Sequence, residues 1–139
     1  SDYQTYIDLV SDVLRIHHSA KPVHTSTEIS LLASHFPENI KLYAAYKDDK
    51  MLAGVLMFLT PKVAHAQYIA NSETGRECGA LDAVMDYLIN KCYSNIEYFD
   101  FGISTENDGL FLNEGLISQK QEFGGRAISY DFYELKFGL

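Results

Sequence analysis

The sequence is poor in basic residues, in cysteine and in long apolar runs, and it contains no tryptophan. Its 11 lysines and arginines stand against 19 aspartates and glutamates, which gives a net charge of −8. Proteins that follow a phosphate backbone need clustered lysine and arginine, so this balance argues against nucleic acid as the main partner. No apolar run approaches the roughly 18 residues of a membrane span, and no signal peptide opens the chain. We therefore expect a cytoplasmic protein that does not enter a membrane.

The two cysteines, Cys78 and Cys92, are too few for a disulfide framework and indicate a reducing compartment. If both lie on one helix, their spacing corresponds to about 21 Å of helix rise. A disulfide requires Cα atoms within about 7 Å of each other, so we predict that the thiols are not partners. A helix N-terminus favours a thiolate at Cys78. Because no His–Asp pair stands near it in the sequence, we interpret Cys78 as a buried or half-buried small residue.

Two amphipathic helices are predicted before residue 40. Residues 3–17 carry apolar side chains at helical spacing, with Asp2 as the cap. A polar connector over residues 19–25 follows. Thr25 to Glu28 then has the form of a capping box, which opens a second helix that Pro37 ends.

The middle of the chain predicts an antiparallel meander. Ile40–Tyr46 and Met51–Thr60 are strand-like runs joined by the polar turn at 47–50, and Val63–Ala70 is the third run. Gly54 inside the second run indicates a bulge or a close backbone approach.

The second half of the chain alternates helices and strands. The predicted elements are a polar loop over Asn71–Gly79, a helix over 81–92, a strand Ile96–Phe101, a turn at 104–109, a helix from about Leu110 to Phe123, and a last strand Ala127–Phe137. The whole order predicts an α/β (α+β) fold in one domain, residues 1–139. Its central sheet is expected to be mixed and mostly antiparallel, with helices on both faces.

Residues 98–124 carry the clearest functional signal. Its strand part, residues 98–101, holds one carboxylate, Asp100, among aromatic residues, and burying an acid without a partner costs several kcal/mol. A site at the strand end explains this acid, with Asp100 orienting or deprotonating an acceptor amine. The alternative is a structural ion pair between Asp100 and Lys120 or Arg126.

The element order, the aromatic-Asp-Phe-Gly strand end and the Lys-x-x-Phe-Gly helix end (Lys120 to Gly124) resemble the GNAT acyltransferase superfamily. They resemble in particular its Fem-type and related bacterial branch. The architectural match covers nearly the whole chain, the motif only its last third. The resemblance implies an acyl-CoA-dependent N-acyltransferase that acts by direct transfer on a small amine acceptor. Acetyl-CoA or another acyl-CoA would be its co-substrate.

Two features depart from that pattern. The run from Arg76 to Leu81 keeps the arginine and first glycine of the usual pyrophosphate signature, but Leu81 stands where a small residue is expected. Fem-type enzymes also carry two such domains, so this chain is open to interpretation as the C-terminal domain of a longer protein. The competing functions are Fem-type aminoacyl transfer from charged tRNA, and a degenerate GNAT-like domain used for ligand sensing or assembly.

Residue chemistry and the resemblance together assign the candidate site. A helix N-terminus following the 71–79 loop suits a pyrophosphate, although Glu73 and Glu77 are unfavourable beside one. Each assignment has a structural alternative. The 71–79 loop would simply cap the helix that follows it, Lys120 would be a solvated lysine at a helix end, and His65 and Tyr68 would be core or rim residues of the third strand. On that strand, alternation places His65 and Gln67 on one face and Tyr68 on the other.

The remaining histidines lack the spacing of metal ligands, so no metal is predicted. The oligomeric state stays open, a dimer included. The assigned residues are Asp100, Asn113 and Lys120 for catalysis; Thr74, Gly75, Arg76, Gly79 and Ser104 for the donor; and His65, Tyr68 and Glu106 for the acceptor.

Overall fold

The computed structural model describes residues 2–18 and 22–137 and divides into two compact units, the first ending at Gly102 and the second beginning at Ile103. Part of the predicted 19–25 connector therefore lies outside the described residues. The first unit contains α1 (Asp2–His18), α2 (Ser26–His35), β1 (Ile40–Lys47), β2 (Lys50–Leu59), β3 (Val63–Asn71), α3 (Glu73–Glu77), α4 (Ala80–Tyr87) and β4 (Tyr98–Asp100). A π-helical turn, Leu88–Cys92, extends α4. The second unit contains β5 (Thr105–Glu106), β6 (Phe111–Leu112) and α5 (Glu114–Glu122).

The start of α2 is fixed by the predicted capping box. The Thr25 Oγ1 atom accepts a hydrogen bond from the Glu28 backbone N–H at 3.2 Å, and the Thr25 N–H donates to the Glu28 carboxylate at 2.7 Å. The hydrogen bond from the Thr25 N–H lowers the pKa of the Glu28 carboxyl group. This reciprocal pair satisfies two groups that a helix start otherwise leaves without partners.

The central sheet has the order β1-β2-β3-β4. Strands β1, β2 and β3 form the predicted antiparallel meander, and β4 pairs with β3 in parallel. The β1–β2 turn is the pair Asp48–Asp49, whose φ angles of 48° and 60° suit a two-residue hairpin turn. The prediction of a mixed, mostly antiparallel sheet with flanking helices is confirmed.

Helices α1 and α2 pack on the sheet through a core centred on Tyr6. Tyr6 is fully buried, and its hydroxyl donates to the carbonyls of Gly54 at 3.2 Å and Tyr68 at 2.8 Å. Burial raises the pKa of Tyr6. A Cβ at Gly54 would lie 2.8 Å from the Tyr6 ring, which explains glycine inside a central strand. The predicted close backbone approach at Gly54 is confirmed.

The second unit differs from its prediction in two places. Phe111–Leu112 pairs with Thr105–Glu106 as a short hairpin, so the predicted helix from Leu110 begins only at Glu114. Asn113 sets this start because its Oδ1 accepts from the Leu116 N–H at 3.0 Å. The predicted last strand, Ala127–Phe137, is wrong: these residues carry no regular structure. Alternating side chains alone make no strand, because a strand needs a neighbour to complete its hydrogen bonds.

The first unit also corrects three predictions. The Asn71–Gly79 loop contains the five-residue helix α3, which Ser72 caps by accepting from the Gly75 N–H at 3.0 Å. The predicted strand Ile96–Phe101 shortens to Tyr98–Asp100, the part that meets β3. The cysteines are free as predicted, yet Cys78 is exposed and precedes α4 rather than lying on it, so its interpretation as buried is wrong.

Candidate active site

The parallel pairing of β3 with β4 ends early, and its end marks the candidate site. The ladder joins Val63 to Tyr98, Ala64 to Phe99 and His65 to Asp100, the last residue of β4. Strand β3 nevertheless continues to Asn71. Among the described residues of the first unit, no strand therefore pairs with the second half of β3 on this edge. Such an edge offers backbone N–H and C=O groups to a ligand.

His65 and Asp100 form a hydrogen-bonded pair at this point. The His65 Nδ1 atom lies 2.7 Å from Asp100 Oδ2, with the side chains 32% and 49% exposed. The other oxygen, Oδ1, accepts from the Gly102 backbone N–H at 2.8 Å. The acid that looked anomalous in the sequence thus has a basic partner on the neighbouring strand. The predicted alternative partners, Lys120 and Arg126, belong to the second unit, and that pairing stays a prediction.

A bulge in β3 changes which residues share a face. Leu56 opposes Tyr68 while Met57 opposes Ala66, so Gln67 is the extra residue. One extra residue inverts the alternation beyond it. His65 and Tyr68 therefore lie on the same face, and the predicted opposite placement is wrong.

Tyr68 belongs to the α1–α2 side of the sheet and contacts a residue that sequence reasoning did not select. Its hydroxyl lies 2.9 Å from His24 Nδ1 and accepts from the His24 backbone N–H at 3.3 Å. The two rings meet edge to face, with centroids 5.9 Å apart. His24 precedes α2 in a segment without regular structure, and no spacing in the sequence signals its partnership with Tyr68.

The donor segment predicted at 74–79 contains both packed and open positions. Thr74 and Arg76 are exposed. Gly75 is buried, and a Cβ there would lie 2.3 Å from Asn71 Oδ1 and 2.6 Å from the Leu52 carbonyl oxygen. The glycine thus lets this segment pack closely against Asn71 and Leu52 of the same chain. From the sequence alone, the same glycine is explained by close approach to a bound donor.

Gly79 lies at the open end of this segment and is the N-cap of α4. It adopts φ +68°, in the left-handed region, and has no side chain to cap the helix. A Cβ here would meet one described atom within 4 Å, Asp82 Oδ2 at 3.4 Å. The first-turn amides of α4 carry the positive end of the helix dipole into this space. The arrangement fits an anion held by backbone N–H groups. The nearby Asp82 carboxylate carries the same sign of charge and would repel that anion.

The second unit brings together its own four predicted site residues. The Asn113 backbone N–H donates to the Ser104 carbonyl at 2.9 Å, and its side-chain amide donates to Glu106 Oε1 at 2.7 Å. The Lys120 Nζ atom donates to the carbonyl of Ile103. These contacts tie the hairpin to α5, so each residue has a structural role in this unit.

The described residues contain no group of three or more His, Cys, Asp or Glu side chains close enough to hold a metal ion. None of the helices within 2–18 and 22–137 is long and apolar enough to span a membrane.

Comparison with known protein families gives one match over most of the chain. Residues 1–108 match the model of the acetyltransferase (GNAT) domain. A search of curated proteins finds no significant match.

Solved structures share the fold at low sequence identity. A possible acetyltransferase from Clostridium difficile 630 superposes with a TM-score of 0.71 at 13% identity, over 98% of this chain and 91% of its own. The ribosomal-protein-alanine N-acetyltransferase of Brucella melitensis biovar Abortus 2308 gives 0.61 at 13% identity, over 98% and 94%. An aminoglycoside acetyltransferase from an uncultured soil metagenomic sample, solved with sisomicin, gives 0.66 at 13% identity, over 97% and 89%.

Proposed function

The chain belongs to the acetyltransferase (GNAT) domain family, and from this premise we propose that it is an acyl-CoA-dependent N-acyltransferase acting on a small amine. The observation that carries the proposal is the early end of the β3–β4 ladder at His65 and Asp100. It leaves a strand edge beside an acid–base pair, so groups that can hold a thioester and a group that can move a proton lie next to each other. Backbone N–H groups there suit the polarised carbonyl of a thioester, and the pair suits proton transfer from an amine.

The donor would bind along β3 and at the start of α4. The open space at Gly79 fits a pyrophosphate on the first-turn amides, and the exposed Arg76 adds a cation. We assign Thr74 to the same contact with the pyrophosphate. Gly75 would contribute indirectly, because its close packing against Asn71 and Leu52 holds the segment in place. When bound, acetyl-CoA or another acyl-CoA supplies the activated thioester. Ser104 keeps its assignment to the donor because it follows the Asp100 strand end closely in the sequence.

The acceptor would bind on the face that carries His65 and Tyr68. The net charge of −8 tolerates a cationic amine near these residues. The soil relative was solved with sisomicin, an example from that protein of a small-molecule ligand in this fold. Glu106, Asn113 and Lys120 keep their assigned roles at the acceptor and reaction centre. The resemblance supports Asn113, closeness in sequence to the Asp100 strand end supports Glu106, and the positive charge supports Lys120. The free cysteines support a reducing compartment, which we propose is the cytoplasm.

Donor binding provides the test. Acetyl-CoA at about 100 times its dissociation constant is expected to stabilise the chain by about 2.7 kcal/mol, a rise of several degrees in Tm. Scanning calorimetry with acetyl-CoA measures this shift, and acetate with pantetheine at equal concentration is the control without pyrophosphate. An unchanged Tm with acetyl-CoA at millimolar concentration contradicts the proposal.

Aminoacyl transfer in the Fem manner is the second candidate, favoured by the motif from Tyr98 to Gly124. The small number of lysines and arginines argues against tRNA binding by this chain alone, because tRNA binding depends on basic side chains that contact phosphates. Binding of aminoacyl-tRNA that weakens steeply with salt, without any Tm shift from acetyl-CoA, would favour this candidate over the first.

A further inference from the structure

We propose that His65 is the general base of the transfer and that Asp100 is a positioning residue that acts through it. The inference rests on the proposed function and deepens it, because the sequence alone gave the acid–base role to Asp100. The geometry reverses the two roles: Asp100 is occupied by His65 and by the Gly102 N–H, whereas His65 uses one ring nitrogen for the contact.

The carboxylate determines the tautomer of His65. An ionised carboxylate only accepts hydrogen bonds, so the Nδ1 atom, 2.7 Å from Asp100 Oδ2, carries a proton. In the neutral imidazole the lone pair then lies on Nε2, the nitrogen on the opposite side of the ring. The side chain is 32% exposed, so a substrate can reach it.

The turn after β4 holds the carboxylate in this orientation. The Gly102 N–H donates to Asp100 Oδ1 at 2.8 Å, and Gly102 adopts φ +72°. A Cβ at Gly102 would lie 3.5 Å from the Cε1 atom of His65, so the turn packs close to the imidazole edge. Backbone and ring together restrict the rotation of both side chains.

The pair lies where an acceptor nitrogen and a thioester would meet. His65 and Asp100 are the last partners of the parallel ladder, and the bulge at Gln67 follows two positions along β3. Beyond it, β3 offers the backbone groups proposed to hold the donor. Tyr68, on the same face as His65, lies toward α1 and α2, the side proposed for the acceptor.

The proton balance of the step is complete with these groups. The acceptor, a cation in solution, first loses its ammonium proton to water; the neutral nitrogen then forms a bond to the thioester carbonyl carbon, and the carbon–sulfur bond breaks. His65 Nε2 takes the proton that the nitrogen loses, and Asp100 stabilises the imidazolium. The leaving thiolate takes up one proton, either from the imidazolium or from water, so the products are an amide and a thiol.

The experiment compares His65→Gln, Asp100→Asn and the control His35→Gln, which changes an exposed histidine at the end of α2. We expect His65→Gln to lower kcat by 10²- to 10⁴-fold. It should keep the Tm shift with acetyl-CoA, and His35→Gln should keep both. In His65→Ala, added imidazole should restore part of the rate. Asp100→Asn should lower kcat with KM values within about twofold, and ¹⁵N NMR should show the His65 proton moving from Nδ1 toward Nε2.

The outcomes separate this inference from the proposed function. If the native chain transfers acetyl groups but His65→Gln retains its kcat, or imidazole fails to rescue His65→Ala, the His65 role is overturned and the function stands. If Asp100→Asn leaves kcat and the histidine tautomer unchanged, the positioning role is overturned. If the native chain neither binds acetyl-CoA nor transfers, both fall together.

Discussion

Replacing Gly75 by alanine is expected to lower the free energy of unfolding by about 3 kcal/mol, the upper part of the range for overpacking a closed site. The added Cβ would lie 2.3 Å from Asn71 Oδ1 and 2.6 Å from the Leu52 carbonyl oxygen. The second atom is backbone in the buried strand β2, so it cannot move without breaking sheet contacts. The Oδ1 atom is itself buried and has no hydrogen-bond partner among the described residues, which leaves it little room. Urea unfolding followed by circular dichroism measures the change.

Gly115→Ala is the matched control for this substitution. It adds the same methyl group inside α5, where the nearest atom would be Asn113 Oδ1 at an ordinary 3.5 Å. Alanine is a better helix former than glycine by up to about 1 kcal/mol, so stability should stay equal or rise. A Gly75→Ala chain as stable as the native one would contradict the close packing of α3 on β2.

Replacing Gly79 by alanine is expected to weaken acetyl-CoA binding at least tenfold. Alanine in the left-handed conformation costs roughly 1–2 kcal/mol, which favours a shift of the turn at the start of α4. The methyl group would also occupy the open space over the first-turn amides, where the pyrophosphate is proposed to bind. Isothermal titration calorimetry gives the ratio of dissociation constants directly.

Gly124→Ala controls for backbone strain alone. Gly124 has φ +90°, and a Cβ there would meet no described atom within 4 Å. The same strain should therefore reduce stability to a similar degree and leave the acetyl-CoA affinity unchanged. If the native and Gly79→Ala chains bound acetyl-CoA with equal affinity, the proposal that the start of α4 binds the donor would be wrong.

Local signals in the sequence predicted most of the first unit. The capping box at Thr25 and Glu28 and the polar pair Asp48–Asp49 each act within four residues, so their geometry follows from the chain nearby. The meander followed because antiparallel strands with short turns pair with their neighbours. The close approach at Gly54 was predicted because glycine weakens the interior of a strand and often marks a place where another group lies close to the backbone.

The pairings that define the site depend on distant residues. His65 and Asp100 meet through the parallel register of β3 and β4, with α3 and α4 between them in the chain. The bulge at Gln67, which brings His65 and Tyr68 to one face, has no sequence signal such as glycine. The last strand was predicted from alternation alone, although a strand forms only where a sheet edge receives it.

The most direct test of the central claim is mass spectrometry of acetyl-CoA with a panel of small amines, with and without the native chain. We predict an amine acetylated on nitrogen and free coenzyme A thiol in equal amounts, formed only when the chain is present. The chain incubated with acetyl-CoA alone should gain no mass, because transfer is direct. Acetyl-CoA bound with no acetylated amine in the panel would contradict the account and identify a degenerate, ligand-binding domain.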